Sequence, residues 1–341
     1  MEKNLVVGIV GLSMGGLHLE GVVENGATVG GICDINPDTL KRMGDKYNIP
    51  EEKRYLDWKD MLKNEEINIV LVVTPDQLHR EMTEAFMAAG KHVMCEKPLA
   101  LTREDLDAII ACTKKYDTKF MVGQICRFTP AFKKAKEMIE NGEIGELYFA
   151  ESEYAHDYAR IITPEKGAWR LDPLRHGVVG GGCHAVDLLR WTVGDPIEVF
   201  AYGSHKLLPQ VVNDDATISV LKFPNGVIGK VFVSTGCKRD YTMRTLFYGT
   251  KGTIICDNTS DHLKVFRVNA EGDPIKTPEI IPIQVNNHNA KEEYASFADA
   301  IVNGKEIVMS AEEGAKTVAV CMAIVESSKT GVPVKPNYDF T

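Results

Sequence analysis

Residues 8–16 read Gly8-Ile9-Val10-Gly11-Leu12-Ser13-Met14-Gly15-Gly16 and join a strand-like run, Leu5–Val10, to a helical pattern from about Gly16 to Asn25. A turn that binds a dinucleotide needs glycine for the tight bend, a small residue where the pyrophosphate comes close, and glycine again for close helix–strand packing. Gly11 and Gly16 meet the first and third needs. Ser13 takes the second place, where its hydroxyl can bond a phosphate oxygen. The stretch predicts a dinucleotide site, against the alternative of an ordinary glycine-rich turn.

The second predicted strand, Val29–Asp34, ends in a carboxylate. An acidic residue about 20 residues beyond the glycine turn accepts hydrogen bonds from the adenosine ribose in dinucleotide-binding units. The same charge repels a 2′-phosphate, so Asp34 favours NAD over NADP. The simpler alternative for Asp34 is a turn residue at the end of a strand.

Strands and helices alternate through the first third of the chain, which predicts a doubly wound parallel sheet with right-handed crossovers. The patterns indicate strands at 69–73, 92–95 and 119–122, and helices from Asn36 to about Tyr47, over 78–89 and from Thr102 to about Tyr116. We assign residues 1–123 to this NAD-binding Rossmann domain.

After about Gly123 the pattern changes, and we assign residues 124–341 to an α/β domain for substrate binding and oligomerisation. A helix at 130–141 and a strand at 146–153 come first. Strand-like runs then follow with short polar connections, which is typical of a mostly antiparallel sheet. The runs lie at 197–204, 216–223, 227–235, 243–248, 253–257 and 262–268. Two helices close the chain, at about 291–303 and 311–330, the second opened by Ser310 and Glu313 at capping-box spacing.

Composition narrows the function classes. The 341 residues carry 39 Lys and Arg against 48 Asp and Glu, a net charge of −9 without a basic block, so we expect no nucleic-acid partner. No apolar run approaches the roughly 20 residues that span a bilayer, and the N-terminus has no signal-peptide pattern, so we expect no membrane partner and a cytoplasmic location. The 8 cysteines form no Cys-x-x-Cys pair, so most are expected to be buried, reduced thiols.

Two further motifs follow the carboxyl ends of predicted strands, where ligands lie in doubly wound sheets. The first is Thr74-Pro75-Asp76-Gln77-Leu78-His79. The second is Glu96-Lys97-Pro98, in which the proline restricts Lys97 and permits a cis bond. An ammonium at this place can hydrogen-bond a substrate hydroxyl and stabilise a developing alkoxide. The alternative is a surface lysine in a turn.

His184 follows three glycines and opens a predicted helix to about Val193. The positive end of that helix disfavours imidazolium and keeps the ring able to accept a proton. Asp187 lies one turn later on the same face and can orient the ring. An isolated histidine there is otherwise a helix cap or a buried core residue.

The order of these motifs, with Arg127-Phe128 and Gly180-Gly181-Gly182-Cys183-His184-Ala185-Val186-Asp187, resembles the glucose–fructose oxidoreductase/inositol dehydrogenase/rhizopine-catabolism (Gfo/Idh/MocA) family over nearly the whole chain. The resemblance implies a Rossmann domain, a C-terminal domain with an open, mostly antiparallel sheet, and NAD(P)-dependent chemistry on sugars or cyclitols. It makes Lys97 the catalytic lysine and His184 the catalytic histidine. It also implies a homodimer or homotetramer formed through the exposed face of the second sheet.

The chain departs from the family at one place. Many members have an aspartate four residues before the histidine, where this chain has Gly180. Asp172 or His176 are our candidates to replace that carboxylate. Trp169-Arg170 resembles a family pair near the nicotinamide.

The predicted site therefore has three groups of residues. The catalytic residues are Lys97 and His184. The cofactor-binding residues are Gly11, Ser13, Met14, Gly15, Gly16, Asp34, Thr74, Pro75, His79, Glu96, Lys97, Trp169 and Arg170. The substrate-binding residues are Arg127, His156, Tyr158, Asp172, His176, His184 and His288. Arg127 could instead hold a structural carboxylate, and His288 could be a plain loop residue. Histidines 156, 176 and 184 match no ligand spacing, so we predict no metal site.

These residues predict an NAD-dependent oxidoreductase that transfers hydride between nicotinamide and a secondary hydroxyl of a sugar, glycoside or cyclitol, with Lys97 and His184 as the proton relay. One alternative is a glycosidase that oxidises its sugar transiently, eliminates the aglycone and re-reduces the sugar with the retained cofactor. The other is a regulatory protein that senses NAD(P) without turnover.

Overall fold

The computed structural model describes residues 5–163 and 167–340. The chain divides into two compact units. The first comprises Met1–Ile125, Asn289–Ala315 and Asp339–Thr341, and the second Cys126–His288 and Lys316–Tyr338. The expected division at residues 123 and 124 lies close to the boundary at Ile125, but residues 289–315 return to the first unit.

The first unit contains a six-stranded sheet. Its strands are β1 (Val6–Val10), β2 (Thr28–Cys33), β3 (Arg54–Tyr55), β4 (Ile69–Val72), β5 (His92–Glu96) and β6 (Phe120–Gly123). All neighbouring pairs are parallel, in the order β3-β2-β1-β4-β5-β6. This order confirms the predicted doubly wound sheet, whose switch point lies between β1 and β4 and is where such sheets bind ligands.

Helices accompany these strands in the first unit. They are α1 (Leu12–Glu24), α2 (Pro37–Lys46), α3 (Trp58–Leu62), α4 (His79–Ala88), α5 (Arg103–Lys115) and α9 (Ala290–Val302). Two predicted helix starts are confirmed by their caps: the Asn36 side chain accepts the amides of Asp38 and Thr39, and Thr102 accepts the amide of Asp105. Helix α1 begins at Leu12, earlier than the predicted Gly16, because Gly11 completes the turn at φ 87°.

Helix α9 packs against α1, which explains why the late segment joins the first unit. A β-carbon at Gly21 of α1 would lie 2.7 Å from the backbone carbon of Ala290, so only glycine allows this approach. The side-chain Nδ2 of Asn25 also donates to the carbonyl of Lys291 at 2.8 Å. The glycine pattern of α1 reflects this packing, which the local sequence does not reveal.

The second unit contains an eight-stranded sheet. Its strands are β7 (Leu147–Ala155), β8 (Glu198–Ser204), β9 (Ala216–Lys222), β10 (Ile228–Ser234), β11 (Thr242–Gly249), β12 (Gly252–Asp257), β13 (His262–Arg267) and β14 (Glu279–Pro282). The order is β14-β13-β12-β11-β7-β10-β9-β8, and every pair is antiparallel except β7 with β10. The mostly antiparallel sheet is confirmed. Strand β14 escaped prediction because it is a short, exposed edge strand.

Helices cover one face of this sheet. They include α6 (Pro130–Glu140), α7 (Gly177–Gly180) and α8 (Cys183–Val193), and α10 (Ala311–Thr330) closes the chain with the bounds that the sequence predicted. Helix α8 packs on β7 and β10, and α6 on β12 and β13. The opposite face leaves side chains such as Tyr202, Val220 and Ile228 exposed. Within the described residues, every helix is too short or too polar to cross a lipid bilayer.

Candidate active site

The glycine turn of the first unit has the shape that a dinucleotide needs. Gly11 adopts φ 87°, and a β-carbon there would collide with the carbonyl oxygen of Val73. Ser13 and Met14 are exposed at the start of α1. Because Gly11 has no side chain, a ligand can come close to the backbone there. The Ser13 hydroxyl and the N-terminus of α1 can then bind an anion. These features fit the pyrophosphate of a dinucleotide.

The roles of the next two glycines differ from the prediction. A β-carbon at Gly15 would lie 3.2 Å from Ile9 Cγ2, so Gly15 permits close packing of α1 on β1. A β-carbon at Gly16 would lie 2.9 Å from Met43 Cε on α2. The prediction that Gly16 makes the close contact between helix and strand is therefore wrong. Gly15 makes that contact, and Gly16 allows α1 to pack against α2.

Asp34 follows β2 beside this turn. Its Oδ2 accepts the amide of Leu12 at 2.7 Å and its Oδ1 accepts the amide of Asn36 at 2.9 Å. Each carboxylate oxygen keeps a further lone pair for a ribose hydroxyl. Ile35, which sequence reasoning missed, is 90% exposed next to it and brings no positive charge for a 2′-phosphate.

His79 joins the two other motif loops. Its Nδ1 lies 3.0 Å from the carbonyl oxygen of Pro98, and its Nε2 lies 3.2 Å from that of Thr74. The ring is fully buried. It therefore has no surface to offer a ligand, and we revise its predicted role from cofactor contact to support of the loops that carry Thr74, Pro75 and Lys97.

Glu96 and Lys97 follow β5, and the Lys97–Pro98 peptide bond is cis. The Glu96 Oε2 accepts the Lys97 amide at 3.1 Å, while Oε1 lies 2.8 Å from His18 Nε2. Glu96 is thus engaged by the protein on both oxygens, and the half-buried Lys97 is the member of the motif that carries a cation.

A buried acid lies behind this motif. Glu293 of α9 is fully buried, and its Oε2 lies 3.6 Å from His18 Nδ1. Burial raises the pKa of Glu293 to about 8. Sequence reasoning missed both His18 and Glu293; the only signal was a histidine on the buried face of a helix and an acid near the start of another.

In the second unit, three glycines lead into α8 and set His184 in its first turn. Gly182 has no room for a side chain, because a β-carbon there would lie 2.5 Å from Val233. The His184 ring is buried and stacks on Tyr154, with centroids 6.4 Å apart and planes inclined by 30°. The ring thus lies at the N-terminus of α8 and against an aromatic face.

A cluster of tyrosines and histidines surrounds this ring stack. The Tyr154 hydroxyl lies 3.1 Å from both His156 Nδ1 and the Tyr158 hydroxyl. The Tyr241 ring packs on His156 at 4.8 Å and stacks on His288 at 5.7 Å. The structure thus brings together His156, Tyr158, His184 and His288 of the prediction, and adds Tyr154 and Tyr241, which the sequence did not single out.

The two added tyrosines remain neutral. Burial, followed by the neighbouring Tyr158 hydroxyl, raises the pKa of Tyr154 well above its ordinary value. Burial does the same for Tyr241. Neutral phenols donate and accept hydrogen bonds and present flat apolar faces, a combination suited to the hydroxyls and C–H faces of a polyol.

Arg127 and Asp187 form a buried pair in the same unit. Arg127 Nε and Nη2 each donate to one oxygen of Asp187 at 2.8 Å, and the Thr317 hydroxyl donates to Asp187 Oδ1 at 3.0 Å. Arg127 thus binds a structural carboxylate, which was the alternative to its predicted contact with substrate. It also anchors α8 one turn beyond His184.

The segment before α7 is built on Trp169. The guanidinium carbons of Arg170 and Arg175 lie 4.1 and 4.6 Å from the Trp169 ring centroid. Asp172 accepts the amide of Leu174 at 2.8 Å and stabilises a turn. His176 is buried at the start of α7, and burial and the charge of Lys329 lower its pKa.

Arg175 occupies the space beside Gly180. A β-carbon at Gly180 would collide with the Arg175 guanidinium, and Arg175 Nη2 donates to the Gly180 carbonyl at 3.3 Å. The Arg175 guanidinium therefore lies beside the position at which the resemblance led us to expect an aspartate, as in many members of that family. Asp172 and His176 remain proposals for a replacement carboxylate or base.

Two family sequence models match the chain. One, described as an oxidoreductase family with an NAD-binding Rossmann fold, matches residues 5–124. The other, described as the GFO/IDH/MocA C-terminal domain, matches residues 132–255.

Individual proteins are similar over nearly the whole chain. Myo-inositol 2-dehydrogenase of Thermotoga maritima is 29% identical over 96% of this chain and 98% of its own length. A levoglucosan dehydrogenase in complex with NADH has a TM-score of 0.88 and 26% identity, covering 98% of this chain and 100% of the other. The complex of a levoglucosan dehydrogenase with NADH and levoglucosan gives a TM-score of 0.87, with 26% identity and the same coverage.

Proposed function

The chain belongs to the GFO/IDH/MocA family of oxidoreductases, and from this premise we propose that it oxidises a secondary hydroxyl of a cyclitol or sugar with NAD. The observation that carries the substrate class is the cluster of Tyr154, His156, Tyr158 and Tyr241 around His184. It joins neutral hydrogen-bonding groups to flat aromatic faces, which matches a ring that carries several hydroxyls.

Lys97 and His184 share the proton chemistry in this proposal. His184 takes the proton of the substrate hydroxyl, and the Lys97 ammonium hydrogen-bonds the same oxygen and stabilises the negative charge that develops there. NAD, when bound, supplies the hydride acceptor. Gly11, Ser13, Met14, Gly15, Asp34, Thr74 and Pro75 are the residues that would hold it, with Trp169 and Arg170 proposed near the nicotinamide.

The preference for NAD over NADP rests on the environment of Asp34. Its carboxylate is held by two backbone amides and lies beside the uncharged Ile35. A 2′-phosphate would meet this negative charge without a cation from either residue, whereas a ribose hydroxyl would donate to it.

We also propose a homo-oligomer, a dimer or tetramer, in which a second copy covers the open sheet face of the second unit. Phe200 and Tyr202 on β8, and Ile218 and Val220 on β9, form an apolar patch there, with Tyr202 66% exposed. Lys230 pairs with Glu151 and Arg244 with Glu153 beside this patch. Exposed apolar area with charges of both signs is self-complementary, which suits a symmetric interface.

The proposed compartment is the cytoplasm. All eight cysteines are free, and seven of them are buried. This state suits a reducing compartment that also holds NAD.

A substrate panel tests the function. Purified protein is incubated with NAD and myo-inositol, scyllo-inositol, levoglucosan, free sugars and aryl glycosides, and NADH absorbance is followed, with Lys97→Ala as the control. NADH formation on a cyclitol or sugar that the control variant fails to produce supports the proposal. Aglycone release without net NADH would make the protein an oxidative glycosidase, and NAD binding without turnover would make it a sensor; either result contradicts the dehydrogenase.

A further inference from the structure

Three ionisable side chains from separate segments of the first unit meet behind Lys97. His18 comes from α1, Glu96 from the end of β5 and Glu293 from α9. His18 Nε2 lies 2.8 Å from Glu96 Oε1, and His18 Nδ1 lies 3.6 Å from Glu293 Oε2. The side chains of His18 and Glu293 are 1% and 0% exposed, and that of Glu96 is 14% exposed.

His18 Nε2 makes a hydrogen bond to Glu96, whereas Nδ1 lies 3.6 Å from Glu293, beyond hydrogen-bond distance, so the interaction with Glu293 is electrostatic. The Glu96 hydrogen bond and the charges of the two acids favour a positive charge on the ring, which is the imidazolium form. One ligand atom from each residue lies within 4.8 Å of the others, as a metal site requires. Metal binding is therefore the alternative to a cluster that holds only protons, and the test below includes it as an outcome.

Charge counting indicates how many protons this buried cluster holds. An imidazolium with one carboxylate and one carboxylic acid is neutral, whereas a second carboxylate would leave a buried net negative charge. Burial lowers the pKa of His18, but the hydrogen bond and charge of Glu96 and the charge of Glu293 outweigh it and leave that pKa raised. Burial also acts to raise the pKa of Glu96, but its bond to His18 and the charges of His18 and Lys97 leave it lowered. Glu293 is then the protonated member.

The cluster is bonded directly to the backbone of Lys97. Glu96 Oε1 faces His18, and Glu96 Oε2 accepts the Lys97 amide at 3.1 Å. A rotation of the Glu96 side chain would break both bonds together. The ionisable groups that face one another here from α1, α9 and the end of β5 are His18, Glu293, Glu96 and Lys97.

We propose that His18 and Glu293 are positioning residues for Lys97: through Glu96 they fix the backbone that presents the Lys97 ammonium and set the charge behind it. The inference rests on the proposed role of Lys97 in catalysis. His18 of α1 and Glu293 of α9 thereby take part in the reaction, although neither the glycine turn nor the Glu96-Lys97-Pro98 motif indicates this.

The sign of the electrostatic effect on Lys97 follows from the cluster. When Glu293 ionises, near pH 8, the cluster changes from neutral to negative. That negative charge favours the Lys97 ammonium and raises the pKa of Lys97. Glutamine in place of Glu293 keeps the shape of the neutral acid and cannot ionise, so the effect should vanish in that variant.

The test measures Lys97 itself as well as turnover. Trace acetylation of the intact protein at a series of pH values, read by mass spectrometry, gives the midpoint at which Lys97 becomes nucleophilic. We expect Glu293→Gln to lower that midpoint by about half a pH unit or more, and Glu81→Gln, an exposed glutamate on α4, to leave it unchanged. An unchanged midpoint in Glu293→Gln overturns the proposal.

A second variant tests whether His18, through Glu96, fixes the backbone that presents Lys97. His18→Gln removes the cation that holds the Glu96 carboxylate, so it should lower kcat at least about tenfold while KM for NAD stays within about twofold, and His262→Gln serves as the matched control. Equal kcat values in His18→Gln and wild type overturn the proposal. A stoichiometric metal ion in the purified wild type that Glu293→Gln lacks would also overturn it, because the cluster would then be a metal site.

Failure of this proposal can be told apart from failure of the proposed function. The acetylation series needs no substrate, so a shifted Lys97 midpoint supports the positioning role even where the substrate panel gives no turnover. Turnover on a polyol with an unshifted midpoint supports the dehydrogenase and rejects the positioning role.

Discussion

Arg127 donates through two nitrogens to both carboxylate oxygens of Asp187, each at 2.8 Å, and neither side chain is more than 5% exposed. This bidentate pair ties the start of the second unit to α8, the helix that carries His184. Buried pairs of this kind contribute little against an apolar replacement, but the loss of one partner leaves the other charge uncompensated.

The first prediction follows from this asymmetry. Asp187→Leu should lower the free energy of unfolding by about 3–5 kcal/mol, because it strands the Arg127 guanidinium in the interior. Adding Arg127→Met should restore part of that loss. Urea unfolding followed by near-UV circular dichroism gives the free energy of unfolding of wild type, of each single variant and of the double variant. A double variant whose loss equals or exceeds the sum of the single losses would contradict a direct pair.

The second prediction concerns cofactor choice. Replacing Asp34 by Ser and Ile35 by Arg removes a ribose acceptor and adds a cation for a 2′-phosphate. We expect kcat/KM with NAD to fall about tenfold to hundredfold, the range for a lost hydrogen bond to a charged group, while kcat/KM with NADP rises. Steady-state kinetics with both cofactors measure this. An unchanged preference for NAD would mean that the adenosine ribose lies elsewhere.

The third prediction is a pH dependence of stability. Burial raises the pKa of Glu293 from 4.5 to about 8, so between these values the unfolded chain loses a proton that the folded chain keeps. The contribution of protonated Glu293 to the free energy of unfolding is complete below pH 4.5. It is lost as pH rises toward 8, by at most roughly 1.4 kcal/mol per pH unit. Wild type should therefore lose stability relative to Glu293→Gln between pH 5 and pH 8. The same difference in free energy of unfolding between the two proteins at pH 5 and pH 8 would contradict this prediction and show that Glu293 is ionised at both pH values.

The fourth prediction concerns the open sheet face. Val220→Lys places a charge in the centre of the proposed interface, so a dimer should dissociate to monomers, and a tetramer to smaller species, without loss of fold. Light scattering coupled to size-exclusion chromatography measures the mass. Val302→Lys, an exposed position on α9 in the first unit, is the control. A wild-type monomer, or an oligomer unaffected by Val220→Lys, contradicts this interface.

Local patterns in the sequence account for most of the fold. Asn36 and Thr102 cap their helices as their spacing indicates, and the β-branched run at 69–72 forms a strand buried within a parallel sheet. The alternation of exposed and buried residues in β9 likewise follows from one covered and one open face. These features depend on neighbours in sequence, so the sequence displays them directly.

The parts that escaped prediction depend on contacts between distant residues. Helix α9 returns to the first unit because Gly21 leaves room for its backbone. Gly15 rather than Gly16 packs on β1, a choice set by the exact rotation of α1. His18 and Glu293 meet only after folding, and Arg175 fills the space at Gly180 through a turn whose path the sequence does not specify.

The most direct test of the account is a double-variant cycle on Lys97 and His184. Single-turnover NADH formation is measured with saturating NAD and the best polyol of the panel for wild type, Lys97→Met, His184→Asn and the double variant. If the two residues act as one proton relay, each single variant should lose at least about a hundredfold in rate, and the double variant should lose little more than the worse single one, with NAD affinity retained. A single variant that turns over as fast as wild type would contradict the relay.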